Sequence, residues 1–363
     1  MKAVVLTGHG GLDRLEYHED WPVPEPGPGE VRIRVGACGL NNTDINTRTA
    51  WYSNSVTDGI TVTGARSGYA DADAATGSWG GAGLAFPRIQ GADAAGRVCA
   101  VGEGVDSGRV GERVLVDPWL LGPGDPANPA HARYFGSEVD GGFAEYAVVP
   151  SRNAIAIDSP LSDTELATFP CAYGTAENLI CRAGLKPGET VVIAGASGGV
   201  GTAAIQLCRL RGARIIAVST AAKAGELRRQ GADAVIDRRE GDIESAIRAA
   251  AGGEADVALD VVGGAMFMAL VNTLRHGGRY STSGAISGPV VEFDLRRLVY
   301  RDLQLTGATI VPAGTMQRIV GLIEQGLLRP LLARTFPLQE LAEAQQAFMD
   351  KRHVGNIVVE VPG

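Results

Sequence analysis

The chain has few of the residues that would make it a disulfide, metal or nucleic-acid protein. Its five cysteines (Cys38, Cys99, Cys171, Cys181, Cys208) are odd in number and scattered over 363 residues. No Cys-x-x-Cys pair occurs, so neither a disulfide framework nor a zinc knuckle is indicated, and a reducing cytoplasm is the simplest setting. The five histidines (His9, His18, His131, His276, His353) are isolated and form no ligand pair. Positive charge is in deficit: 33 Lys and Arg against 41 Asp and Glu give a net charge of −8, and no basic stripe with interleaved aromatics exists. That argues against nucleic acid as a partner. No apolar run is long enough to cross a membrane, and the opening Met1-Lys2-Ala3-Val4-Val5-Leu6 reaches Gly8 too soon for a secretion signal. It reads as an edge strand. What is present, 45% apolar residues in 363, suits two domains with full cores.

The pattern changes along the chain. Residues 1 to about 150 read as β-rich, with Val31-Arg32-Ile33-Arg34-Val35 alternating at period two and further short strands across Gly91 to Val105, Val110 to Val116 and Gly141 to Pro150. Residues 53–86 stand apart: rich in Gly, Ala, Ser, Thr and Asp, with isolated aromatics Tyr69 and Trp79. Low periodicity there suggests a long loop, either a surface excursion or a lid. From 151 to about 305 strands and helices alternate, which implies a parallel, doubly wound sheet. Helices are expected over Pro312 to Leu328 and Glu340 to Asp350, and a last strand over Ile357 to Val361.

The most informative stretch is Thr190 to Gly201. Val191, Val192 and Ile193 form an apolar strand that runs into Gly195-Ala196-Ser197-Gly198-Gly199-Val200-Gly201, and a helix opens at Gly199. Strand, glycine turn and helix N-terminus together suit a diphosphate, because backbone N–H groups point at the anion and missing Cβ atoms let it approach. Ala196 stands where the usual Gly-x-Gly-x-x-Gly pattern has its first glycine. A second strand, Arg214 to Thr220, completes a βαβ unit. An NAD site usually ends that strand in Asp or Glu; here it ends in Ser219 and Thr220, followed by Lys223, with Arg238 and Arg239 after the next apolar run. Hydroxyls and cations would bind a 2′-phosphate where a carboxylate would repel it, so the reading is NADPH.

Ala37-Cys38-Gly39-Leu40-Asn41-Asn42-Thr43-Asp44-Ile45-Asn46, Gly91-Ala92-Asp93-Ala94-Ala95-Gly96, Val101-Gly102-Glu103-Gly104-Val105, Gly111-Glu112-Arg113-Val114, the glycine turn and Gly231-Ala232-Asp233 resemble the medium-chain dehydrogenase/reductase superfamily over nearly the whole chain. Within it the sequence looks most like the zinc-independent quinone oxidoreductase and enoyl-thioester reductase branch. The resemblance implies an α/β protein: a GroES-like β-barrel domain (1–150, rejoined by 311–363), a Rossmann NADPH-binding domain (151–310), an active site in the cleft between them, and a homodimer. It implies that Asn41, Thr175, Gly195, Ala196, Ser197, Gly198, Gly199, Val200, Gly201, Ser219, Thr220, Lys223, Arg238 and Gly284 meet the cofactor. Tyr52, after Asn41-x-x-Asp44-Ile45-Asn46 … Trp51, falls where the enoyl-thioester reductases keep a catalytic tyrosine, and it joins Asn41 as a candidate for contact with a substrate carbonyl. Ala50 departs from that pattern, where glycine is usual.

The zinc enzymes of the same superfamily use cysteine, histidine and a second cysteine or acid. Cys38 and Cys171 fall at the thiolate positions, but Ala92 replaces the histidine and Leu40 the proton-relaying hydroxyl, and Asp117 to Asp140 holds no cysteine for a structural lobe. The expectation is no metal and an NADPH-dependent oxidoreductase acting on a small molecule, a quinone or an activated C=C (enone or enoyl thioester). Two other readings stay open: a zinc-type alcohol dehydrogenase with an altered Cys38/Asp93/Cys171 site, and a non-catalytic NADPH-binding sensor or scaffold.

Overall fold

A computed structural model describes residues 1–79, 83–122 and 132–361. His131 and residues 80–82 of the 53–86 stretch lie outside the described residues. The chain forms two compact units: Met1–Val56, Thr61–Cys171 and Pro312–Gly363 in the first, Thr57–Ile60 and Ala172–Val311 in the second. None of the helices among the described residues is long and apolar enough to cross a membrane.

The first unit opens with β1 (Ala3–Leu6), β2 (Leu15–His18), β3 (Glu30–Gly39), α1 (Asn42–Thr49), α2 (Val62–Ser67), β4 (Arg88–Ile89) and β5 (Asp93–Val101). It continues through β6 (Arg113–Val116), β7 (Trp119–Leu121), β8 (Ala132–Tyr134), β9 (Tyr146–Pro150), β10 (Ala154–Ala156) and α3 (Asp163–Leu166). Along β3 the expected alternation holds, with Val31, Ile33 and Val35 buried and Arg34 exposed. Its far end, Ala37 to Gly39, is buried throughout. The unit boundary lies at Cys171 rather than at residue 150, because β10 pairs antiparallel with β6. The opening strand is also not an edge. β1 is the middle of a three-stranded sheet, β2-β1-β4, and all four of its residues are buried. An edge strand shows one side to water, whereas Ala3-Val4-Val5-Leu6 is apolar at every position.

The 53–86 stretch is packed rather than structureless. Thr61 caps α2 by accepting the Gly64 N–H at 2.9 Å, and Asp73 starts a 3-10 turn by accepting that of Ala75. Arg48, fully buried on α1, donates to the carbonyls of Gly10 and Ala65 and to Gln345 Oε1, each at 2.8 Å. Caps and one buried guanidinium, not apolar periodicity, order this segment, which is why the sequence pattern reads as a loop.

In the second unit, α4 (Pro170–Ala183) leads to β11 (Thr190–Ala194), α5 (Gly199–Leu210), β12 (Arg214–Ser219), α6 (Ala224–Gln230), β13 (Ala234–Asp237) and α7 (Ile243–Ala251). Then come β14 (Ala255–Asp260), α8 (Ala265–Thr273), β15 (Leu274–Thr282), α9 (Leu295–Tyr300) and β16 (Gln304–Gly307). The six strands are parallel in the order β13-β12-β11-β14-β15-β16. The order reverses at β11, and the glycine turn follows that strand, the place where such sheets take ligands. Val191 to Ala194 are buried on both faces, as a central parallel strand requires. The segment Thr57–Ile60 is grouped here through the Ile60 N–H, which donates to Ile286 at 2.8 Å.

The chain then returns to the first unit with α10 (Thr315–Glu324), β17 (Leu332–Pro337), α11 (Leu341–Met349) and β18 (Asn356–Glu360). β18 pairs antiparallel with β3, completing a sheet of order β10-β6-β5-β3-β18-β17 to which β9 also pairs through β3.

Candidate functional site

The turn after β11 is shaped by where side chains are missing. Gly195 sits at φ +66°, in the left-handed region, and a Cβ there would come within 2.9 Å of a Val261 methyl. It takes the sharp bend one residue earlier than the usual pattern, so Ala196 can stand at the next position, fully buried. A Cβ at Gly201 would come within 2.4 Å of the Gly195 carbonyl oxygen, so α5 packs directly on the turn. Gly198 begins the helix with no side-chain cap, leaving the first-turn amides of Gly199, Val200 and Gly201 aimed out of its end. This backbone cradle fits a dinucleotide diphosphate.

Beside it, Lys223 Nζ lies 3.4 Å from Ser197 Oγ. Burial and the neighbouring cations Arg238 and Arg239 lower the Lys223 pKa. The Arg238 N–H donates to the Ser219 carbonyl at 2.8 Å, which brings the end of β12 and the start of the basic pair together. One acid does reach this corner. Asp237, on the neighbouring strand, accepts the N–H groups of Ala221 at 2.8 Å and Arg239 at 2.9 Å, and those bonds hold its pKa below the usual carboxylate range. Gly284 follows β15 at the same edge of the sheet, where Thr282 Oγ1 donates to its carbonyl, and Thr175 is half-buried on α4.

A second group of residues gathers in the first unit, around the start of α1. The Asn41 N–H donates to Asp44 Oδ2 at 2.7 Å, fixing the first turn of the helix, and Asn41 Nδ2 donates to Asp93 Oδ2 at 2.9 Å. The other Asp93 oxygen accepts the Cys171 N–H at 2.7 Å. Gln90 Nε2 donates to the Asp44 carbonyl at 2.9 Å. Both carboxyls are buried, and desolvation pushes each up to about 7. Cys38 is enclosed by glycines: a Cβ on Gly91 or Gly142 would fall within 2.7 or 2.9 Å of its sulfur. Burial pushes its thiol well up.

Two phenols meet here. Burial raises the Tyr52 pKa, so the phenol stays protonated, with Thr43 and Asn46 close by and opposing that shift. Tyr134 lies near Cys171, Asp93 and Tyr52, and burial raises its pKa well up. Asn41 precedes α1 and Tyr52 follows it, and one Asn41 amide hydrogen is committed to Asp93 rather than to a substrate carbonyl. Tyr134 carries no local sequence signal; only the β7–β8 pairing brings it here. Asp44 could have been found from its place three residues after Asn41, the spacing of a capping box.

The donor set does not fit a catalytic zinc. Ala92 offers no ligand, both Asp93 oxygens already accept hydrogen bonds, and among the described residues no three His, Cys, Asp or Glu side chains converge on a metal position.

Family models agree with this architecture. The alcohol dehydrogenase GroES-like domain matches residues 27–159, and the zinc-binding dehydrogenase model matches 199–325. A solved structure from Sinorhizobium meliloti 1021, provisionally described as an alcohol dehydrogenase, is 45% identical with a TM-score of 0.91, over 100% of this chain and 97% of that one. The chain belongs to the medium-chain dehydrogenase/reductase superfamily. It is similar, at 27% identity over 99% of this chain and 100% of the relative, to the acryloyl-coenzyme A reductase of Sulfurisphaera tokodaii. A solved crotonyl-CoA carboxylase/reductase, AntE, in complex with NADP is 26% identical with a TM-score of 0.84, over 99% and 94% of the two chains. The protein is an oxidoreductase of this superfamily, whose members bind nicotinamide cofactors.

Proposed function

We propose that the protein is an NADPH-dependent reductase of a C=C bond conjugated to a carbonyl, with an enoyl thioester as the preferred class. The observation that carries this is the Tyr52 phenol: burial keeps it protonated, and it stands near Asp44 and Cys171 in a buried polar cluster whose donors do not fit zinc. NADPH supplies the hydride when bound. Hydride addition to the β carbon sends an electron pair to the carbonyl oxygen, and the Tyr52 O–H is the group we assign to hold that oxygen and return a proton. Asn41 holds Asp93 and keeps its remaining amide N–H for the nicotinamide side.

For the cofactor, the amides of Gly199 to Gly201 take the diphosphate, with Gly195, Ala196, Ser197 and Gly198 forming the turn. Ser219, Thr220, Lys223 and Arg238 take the 2′-phosphate, and Thr175 and Gly284 are further contacts. Three cations around one corner support NADPH over NADH. We further propose a homodimer, because Val290, Leu295, Val299 and Tyr300 are 63–73% exposed just before β16, the outer strand of its sheet. None of the five cysteines is in a disulfide, which suits a cytoplasmic setting.

The test is NADPH oxidation by the purified protein with a 2-enoyl thioester and with a small quinone, in wild type and Tyr52→Phe, with and without a chelator. The expected result is thioester reduction insensitive to the chelator, with kcat about 100-fold lower in the variant. Reduction of the quinone alone, untouched by the variant, would assign a quinone reductase instead. Tight NADPH binding with no turnover would assign a sensor or scaffold.

A further inference from the structure

The crevice of a doubly wound sheet lies where the strand order reverses, between the turns that follow the two strands there. In the second unit these are the glycine turn after β11 and the turn after β14, its neighbour on the other side. The second turn rests on one carboxylate. Asp260, the last residue of β14, is fully buried. Its Oδ1 accepts the Val262 N–H at 2.7 Å, and the Gly263 N–H lies 3.3 and 3.2 Å from its two oxygens. Those bonds fold Val261, Val262 and Gly263 into a turn closed by the side chain of the residue before it. The Tyr280 O–H donates to Asp260 Oδ2 at 2.7 Å. Tyr280 is buried on β15 and meets Phe267 edge to face with centroids 5.1 Å apart, which orients the phenol. The turn so held touches both sides of the crevice. A Cβ on Gly195 would come within 2.9 Å of a Val261 methyl and 3.1 Å of a Val262 methyl. On the β15 side, the Val262 carbonyl accepts the Ser287 N–H at 2.8 Å, and a Cβ on Gly284 would come within 3.3 Å of the Val261 oxygen.

We propose that Asp260 is a positioning residue for the dinucleotide, acting through Val261: its carboxylate fixes the turn after β14 so that the Val261 and Val262 methyls brace the Gly195 bend in the form that aims the α5 amides at the diphosphate. The proposal rests on the reading above that the glycine turn holds the cofactor. A site made of backbone binds well only if its amides are set before the ligand arrives. Glycine at the bend supplies no side chain to set them, so the brace comes from the neighbouring turn. An asparagine at 260 would keep the bond to Val262 but turn an N–H toward Gly263 and Tyr280, which are donors to the carboxylate.

Fluorescence titration of the full chain with NADPH and with NADH tests this without turnover, with urea unfolding measured beside it. Asp260→Asn is expected to weaken both dinucleotides equally, about tenfold, because the turn meets the bend and not the 2′-phosphate corner. Val261→Ala removes the methyl that touches the bend and should weaken both about threefold. The double variant should bind no more weakly than Asp260→Asn alone, since the two residues act as one. Lower urea stability with unchanged affinity would make Asp260 a residue of the fold only and overturn the proposal. Losses that add in the double variant, or a loss confined to NADPH, overturn it too. If Asp260→Asn does not fold, Tyr280→Phe decides, since it keeps the ring and the carboxylate and removes one bond. A loss of about threefold for both dinucleotides is expected there, and no loss overturns the proposal. Wild type that binds NADH but not NADPH removes the NADPH reading, and the variants are then judged with NADH. Wild type that binds neither removes the cofactor reading and the proposal together.

Discussion

The turn after β11 in the second unit and the cluster around α1 in the first are made of different material. The turn is backbone: its amides are the working groups, and side chains matter there mainly by being absent at Gly195 and Gly201. The cluster is side chain: two carboxyls, two phenols and a thiol, all desolvated. A site of the first kind is limited by steric room. One of the second kind is limited by what it costs to bury polar groups, and so by protonation.

The sharpest break in that contrast is Gly201→Val. A branched side chain beginning 2.4 Å from the Gly195 carbonyl must push α5 off the turn, and NADPH affinity measured by fluorescence titration should fall by more than about 100-fold. Wild-type affinity in this variant would show that the helix end is not the diphosphate site.

Next is Asp93→Asn. Asp93 accepts from two donors, Asn41 Nδ2 and the Cys171 N–H, and an amide offers only one acceptor to them. Urea unfolding should report a loss of about 1–3 kcal/mol. The pH profile carries a sign as well. The folded-state pKa of Asp93 is raised to about 7 from an ordinary 3.8, so its contribution is fully present below about pH 3.8 and is lost as pH rises through 7. The wild type should therefore lose stability across that window more steeply than the variant. Parallel slopes would mean that Asp93 ionises normally in the fold.

Lys223→Ala tests the borrowed charge at the edge of the backbone site. NADPH should bind about tenfold more weakly while NADH is unaffected, checked by titrating both. An equal loss for both would move Lys223 from the 2′-phosphate to the diphosphate. The smallest effect belongs to Gly198→Ala. Gly198 has an ordinary φ of −81°, and its Cβ would meet nothing nearer than 3.6 Å, so unfolding should shift by less than about 0.5 kcal/mol. Set against Gly201, it separates glycines that need their missing side chain from one that does not.

The same contrast decides what was legible beforehand. β11, α5 and β12 lie within a residue or so of the expectation because an apolar run, a glycine turn and a 3.6-residue repeat are all local signals. The cluster is held by bonds across long separations: Asn41 to Asp93 spans 52 positions and Asp93 to Cys171 spans 78. No window of sequence contains both ends. Asn41, Tyr52, Asp93 and Cys171 were reachable through family resemblance, whereas Tyr134 was not, since its place depends on how β7 and β8 pair. The first strand was misjudged for a related reason. Its second neighbour, β4, is only two residues long and lies at Arg88–Ile89, too short and too distant to leave a pattern. Arg48 reads as an ordinary charged helix residue until its acceptors, among them Gln345 at 297 positions away, are seen.

One feature of the fold has its consequence in time rather than in space. β18 pairs with β3 at Ala37, Cys38 and Gly39, the strand end that leads into Asn41. During synthesis the six parallel strands are all available once Gly307 has left the ribosome, but that stretch of β3 lacks its β18 neighbour until Glu360 has followed. A nascent chain halted between those points carries one sheet with every strand made and another with an unpaired edge next to its polar cluster. That interval is when the chain is most exposed to pairing with the wrong partner, and when a chaperone has most to protect.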